Sequence, residues 1–158
     1  VTGHGDVLHA VAELLRDVAE RVVEPRFRRL EVGDVEEKAA GELVTVADRE
    51  AEEAITQGLA SILPGTPVVG EEATAADPSL LGAVAADRAL VVDPIDGTSN
   101  FVDGSPHWAL MVALLAHGEP VAGWIWQPAT GRMYVAEHGA GAWWNGERLD
   151  HVARSEDA

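Results

Sequence analysis

Ala89-Leu90-Val91-Val92-Asp93-Pro94-Ile95-Asp96-Gly97-Thr98-Ser99-Asn100-Phe101 sets four apolar residues directly before a turn that holds two carboxylates, a proline, a glycine and three hydroxyl or amide side chains. A short apolar run closed by Asp-Pro reads as a buried strand over residues 89–92 that ends at Asp93 and Pro94. Pro94 fixes its own φ, and Gly97 lets the backbone approach a ligand closely or adopt a positive φ. Held in this way, Asp93 and Asp96 can converge on a hard cation, whose preferred ligands are oxygens. Taken alone, the same residues serve equally well as turn formers, with Thr98 or Ser99 capping a helix. A second acidic pair shifts the balance toward a site. Val68 and Val69 read as another short strand that runs into Gly70, Glu71 and Glu72, and sheet ends are where separated segments can meet.

Upstream, Val7, Val11, Leu14, Leu15, Val18, Val22 and Val23 recur at helical spacing with charges opposite, which predicts an amphipathic helix over residues 6–29, adjusted near Pro25. Residues 31–41 are polar and contain two glycines, which predicts a mobile loop. Thr45 followed three residues later by Asp48 has the form of a helix start. Ala51, Ile55, Leu59 and Ile62 mark the buried stripe of that helix, and Pro64, Gly65 and Pro67 end it. Downstream, residues 108–116, 121–126, 132–136 and 141–144 read as strands separated by turn signals at Gly118, residues 128–131 and Gly139. Strands joined by tight turns imply an antiparallel sheet. The expected fold class is therefore α+β, with layered helices packed on a mostly antiparallel sheet rather than a parallel doubly wound one.

The 158 residues suffice for one domain with a real core, and 47% apolar residues spread along the chain argue against disorder. No apolar run is long enough to span a bilayer. Asp6, Glu13 and Asp17 stand where a secretion signal would be basic and then apolar, so the expected location is cytoplasmic. A formal net charge of −16 speaks against nucleic acid as a partner, because phosphate contacts need clustered Lys and Arg. Zero cysteines exclude disulfides, thiolate metal sites and cysteine nucleophiles. Spacing removes further chemistries. Ile95 and Gly97 fall where an EF-hand needs ligands, and the two residues between Asp93 and Asp96 do not match the Asp-x-Asp of aspartyl-phosphate enzymes. Neither a Walker lysine loop nor a Gly-x-Ser-x-Gly elbow is present.

Gly70-Glu71-Glu72 followed by Asp93-Pro94-Ile95-Asp96-Gly97-Thr98 resembles the paired signature of the inositol monophosphatase family, within the magnesium-dependent, lithium-sensitive phosphatase superfamily. The segment Leu43-Val44-Thr45-Val46-Ala47-Asp48 with Glu52 and Ile55 is similar to that family's upstream motif, and Gly123, Pro128, Tyr134, Gly139, Gly141 and Ala142 follow its hairpin pattern. The resemblance implies Mg2+ as cofactor: Glu71, Asp93 and the carbonyl of Ile95 would hold one ion, and Asp93 with Asp96 a second. It further implies that Thr98 and Glu71, helped by Asp48, orient and deprotonate the attacking water. Asp96, Gly97, Thr98 and Ser99 would line the substrate, a small phosphorylated metabolite such as inositol monophosphate or histidinol phosphate. A homodimer is implied at full length.

There is also a departure. Members of that family continue well past the equivalent of Ala158 and supply a Trp-Asp motif that completes the second ion, whereas no tryptophan here is followed by aspartate. Residues 1–158 are thus expected to form the metal-binding N-terminal subdomain, with the C-terminal subdomain absent from this chain. The rival expectation is a truncated or catalytically inactive metal-binding or scaffold protein. His107, between Pro106 and Trp108, is read as a packing or turn residue. At least half of Trp124, Trp126, Trp143 and Trp144 are read as core, and Lys38 as a solvated lysine on the loop.

Overall fold

The computed structural model describes residues 4–150, so the ends of the expected 1–158 unit lie outside the described residues. The first helix, α1, spans His4–Val18 and buries Val11, Leu15 and Val18. It is shorter than its periodicity predicts. The chain continues in a π turn over Ala19–Val23 and a 3-10 turn over Glu24–Arg26 that contains Pro25. Proline lacks the amide that an α-helix needs and crowds the preceding turn, so the hydrophobic stripe persists while the winding changes.

Residues 31–41 correct the expectation of a loop. Strand β1, Val35–Ala39, pairs antiparallel with β2, Glu42–Thr45. The hairpin buries little of β1, so it lacks the alternation of apolar and polar residues by which a strand is recognised. Ion pairs support it from outside: Arg49 with Glu36, and Lys38 with both Glu71 and Glu72.

Helix α2, Val46–Ile62, starts as its sequence predicts. Thr45 is the N-cap, its hydroxyl accepting from the amides of Ala47 (3.1 Å) and Asp48 (3.4 Å), while its own amide donates to Asp48 Oδ2 at 2.8 Å. This reciprocal pair closes a capping box. Ala47, Ala51, Ile55 and Leu59 form the buried face. Strand β3, Val68–Gly70, leads into the short helix α3, Glu71–Ala76, and a 3-10 segment, Pro78–Ala85. Strand β4, Arg88–Asp96, is followed by the single-turn helix α4, Thr98–Val102. The remaining strands are β5, Ala109–Ala116, β6, Glu119–Gln127, β7, Arg132–Glu137, β8, Gly141–Trp144, and β9, Glu147–Arg148.

These strands make one seven-stranded sheet in the order β3-β4-β5-β6-β7-β8-β9. Only the β3–β4 pair is parallel; the others are antiparallel. Both α1 and α2 lie on one face. Along β4, β5, β6 and β7 the residues that meet them are Leu90, Val92, Leu110, Val112, Leu114, Ala122, Trp124 and Met133, all buried in one cluster with α1 and α2. The cross-strand pairs Val92 with Val112 and Val112 with Trp124 show this row running straight across the sheet. Trp124 is core, as expected, and its indole N–H donates to the carbonyl of Leu8 at 2.9 Å. Trp108 is also buried, Trp126 packs against the core from its edge, and Trp144 is exposed.

Candidate active site

Strands β3 and β4 are neighbours and parallel, so their carboxyl ends deliver Glu71 and Asp93 to the same end of the sheet. Asp93 pairs with Met111 and Asp96 with Ala109, so three steps along β4 match two along β5. The surplus residue makes a β-bulge at Pro94 and Ile95, and proline is tolerated there because a bulge releases the ladder from its amide. A bulge also restores parity. Met111 and Ala109 are two residues apart and share a face, so their partners Asp93 and Asp96 share it too. Without the extra residue the two carboxylates would point to opposite faces.

Gly97 then takes φ +85°, and a Cβ there would stand 2.8 Å from the carbonyl oxygen of His107. Both the conformation and the close approach demand glycine. Asn100 Nδ2 donates to that same carbonyl at 2.8 Å, so His107 contributes its backbone while its side chain is exposed. Beneath the turn, Phe27, Phe101 and Trp108 pack with ring centroids 5.1 to 5.5 Å apart. The turn thus sits on a rigid aromatic floor.

Thr98 is the first residue of α4, yet its hydroxyl does not cap that helix. Its Oγ1 lies 3.0 Å from Asp48 Oδ1 and 3.0 Å from the carbonyl of Ile95, the acceptors for its one proton. Asp48 is buried, and its two oxygens are divided: Oδ2 accepts from the Thr45 hydroxyl (2.6 Å) and amide, and Oδ1 faces Thr98. Burial raises the pKa of Asp48, against the lowering effect of the bonds from Thr45 and Thr98.

Asp93 is half-buried, and its Oδ1 is buried without a hydrogen-bond partner among the described residues. Burial, and after it the neighbouring Glu71, pushes its pKa up to about 7, with Asp96 and Asp48 adding to the rise. An orphaned buried acceptor among several carboxylates is the environment in which a divalent cation is favourable, so Asp93, Glu71 and Asp96 fit such an ion in chemistry. Among the described residues, however, no three His, Cys, Asp or Glu side chains already converge as a coordination shell. Instead Lys38 stands against the carboxylates, its Nζ donating to Glu71 Oε1 at 2.6 Å and Glu72 Oε1 at 2.8 Å.

This corrects the reading of Lys38 as a solvated lysine. Burial acts to lower its pKa, but Glu71 and Glu72 outweigh that and hold it up. Burial raises the pKa of Glu72, and Lys38 opposes the rise. Asp96 and Ser99 are exposed at the mouth of the turn. Sequence reasoning missed the tie from Lys38 to Glu71 and gave no role to Glu52, whose carboxylate accepts from the amides of Glu72 and Ala73. The available signal for Glu52 was its place one helical turn after Asp48 on the same face.

In sequence and in fold the chain is similar to known proteins. The family model described as "Inositol monophosphatase family" matches residues 5–157. An inositol-1-monophosphatase of Rhizobium meliloti is 41% identical over 117 residues, covering 74% of this chain and 42% of that protein. A histidinol-phosphatase of Mycobacterium tuberculosis is 39% identical over 139 residues, covering 88% of this chain and 50% of its own length. Among solved structures, an IMPase of Thermotoga maritima superposes with a TM-score of 0.79 at 31% identity, over 94% of this chain and 54% of the other. The chain therefore spans about half the length of the relatives it matches. No helix among the described residues is long and apolar enough to cross a membrane. With the family model matched over residues 5–157, nearly its whole length, the chain belongs to the inositol monophosphatase family.

Proposed function

We propose that this chain carries the catalytic and metal-binding side of a phosphatase that hydrolyses a small phosphate monoester by direct attack of water, with Mg2+ as cofactor. The observation that carries the reading is the Thr98–Asp48 pair, in which a threonine hydroxyl is bonded to a buried aspartate whose charge acts on Asp93, the residue with the orphaned oxygen. When the Thr98 proton points to Asp48, the lone pairs of Oγ1 are free to accept a hydrogen from a water molecule, which orients it. Asp48, with its pKa raised by burial, is a stronger base than an exposed aspartate and suits taking up a proton through Thr98. Glu71 is the second carboxylate able to receive one. Gly97 is the N-cap of α4 and Thr98 its first residue, so their amides suit phosphate oxygens, and the absent side chain at Gly97 keeps the approach open.

Glu71, Asp93, the Ile95 carbonyl and Asp96 are the residues that would hold Mg2+, which when bound supplies positive charge against a dianionic ester and acidifies water. The same charge answers how a protein of net charge −16 receives a phosphate ester. Relatives named for inositol 1-phosphate and for histidinol phosphate bracket the substrate class as an alcohol phosphate. The test is phosphate release, with the protein at its native length, from inositol 1-phosphate, histidinol phosphate and a sugar bisphosphate, with and without magnesium. Magnesium-dependent release from at least one ester, lost in Thr98→Ala, is expected. Turnover that survives Thr98→Ala removes the assigned water-positioning role, and no turnover of any ester sinks the reading as an enzyme.

A further inference from the structure

Helix α2 presents two buried carboxylates one turn apart, Asp48 and Glu52, and each reaches a different turn of the site. Asp48 meets Thr98 after β4. Glu52 Oε2 accepts from the Glu72 amide at 2.7 Å, and Oε1 from the Ala73 amide at 2.8 Å. These are the amides immediately following Glu71. The contact is built from both sides, because a Cβ on Gly70 would stand 2.3 to 2.6 Å from the Glu52 carboxylate. Glycine at residue 70 is what lets the carboxylate close on the backbone. Both oxygens of Glu52 are thus spent on two adjacent amides, and a charged acceptor on backbone N–H groups makes a strong, directional bond.

We propose that Glu52 is a positioning residue: it sets where Glu71 stands relative to Asp93, as Asp48 sets where Thr98 stands, so that α2 acts as the common ruler for both halves of the site. The inference rests on the reading of Glu71 and Asp93 as cation ligands. Outer groups that hold ligands in place govern metal affinity as well as stability, with losses of roughly ten- to a hundredfold when they are removed.

The experiment compares Mg2+ binding by titration calorimetry in the wild type and in Glu52→Gln, Gly70→Ala, Ile55→Val and Asp93→Asn. Glu52→Gln keeps the size of the side chain but turns an NH2 toward a backbone N–H, and Gly70→Ala displaces the same carboxylate from the other side. Both are expected to raise Kd for magnesium at least tenfold. Ile55→Val lowers the melting temperature through the core of the same helix and is expected to leave Kd unchanged. If one Glu52 or Gly70 variant does not fold, the other carries the measurement. In the wild type the Glu72 and Ala73 amide protons are expected at low field by NMR, and to move upfield in Glu52→Gln. Wild-type Kd in Glu52→Gln or Gly70→Ala, or an equal rise in Ile55→Val, overturns the positioning role. Unchanged binding in Asp93→Asn is a different failure, which removes the cation site itself and the inference with it.

Discussion

Two turns bring carboxylates to the same sheet end, and they are held by opposite means. The turn after β4 is stiff along its own chain: Pro94, a bulge, a left-handed Gly97 and an aromatic floor of Phe27, Phe101 and Trp108 leave it few alternatives. The turn after β3 has little of this. Strand β3 has three residues and, among the described residues, lies at the sheet edge and pairs only with β4, and Glu71 is exposed. Its position comes from side chains that arrive from elsewhere, Glu52 from α2 and Lys38 from the hairpin. Segments with few buried apolar contacts open at lower free energy than core strands. The rigid turn therefore suits proton handling, which needs fixed distances, and the looser one suits a ligand that adjusts to an arriving cation.

The largest test falls on the rigid turn. Thr98→Ala is expected to lower kcat by roughly a hundredfold or more, the scale of losing a positioned proton acceptor, while leaving magnesium Kd near the wild-type value. A comparable loss of magnesium affinity would show that the two turns do not divide chemistry from binding. Next is Asp93→Asn. The wild type is expected to gain about 2.7 kcal/mol of stability when magnesium exceeds its Kd a hundredfold, and the variant to gain little, while its metal-free melting temperature at neutral pH rises because a buried charge is gone. An undiminished magnesium shift in differential scanning calorimetry would remove Asp93 from the site.

Gly97→Ala tests the stiffness itself. A left-handed alanine costs about 1–2 kcal/mol, to which the contact with the His107 carbonyl adds, so urea unfolding is expected to show a lower midpoint with an unchanged slope. A neutral effect would mean that the turn is more pliable than its packing implies. The smallest effect is expected at Lys38→Met. Removing an ammonium that competes for Glu71 Oε1 tightens magnesium a few-fold, about 1 kcal/mol or less, given that the Glu71 side chain is 41% exposed. Weaker binding in this variant would make Lys38 a support of the cation rather than its rival.

The sequence disclosed the parts of the molecule whose causes are local. The Thr45–Asp48 capping box, the stripe Ala51, Ile55 and Leu59, the apolar run before Asp93 and the turn signals between β5 and β8 were legible because each depends on neighbours within a few residues. The hairpin of β1 and β2 was not. Its strands bury too little to show a period, and what supports them, Lys38 on Glu71 and Glu72, spans 33 and 34 residues. The π turn after Val18 was hidden for a different reason: the apolar stripe continues through it unchanged.

By itself, then, the sequence determined the α+β class, the two acidic strand ends and the family resemblance that the comparisons uphold. Only the tertiary structure decided how those ends come together as a candidate site. The bulge that brings Asp93 and Asp96 to a common face is a matter of register against β5, and register is set by which rows of side chains meet α1 and α2. The bond from Thr98 to Asp48 joins residues fifty apart, and the bonds of the Glu72 and Ala73 amides to Glu52 join residues twenty and twenty-one apart. Such contacts carry no local signal, because their geometry exists only once a helix has packed across the strands whose ends it holds.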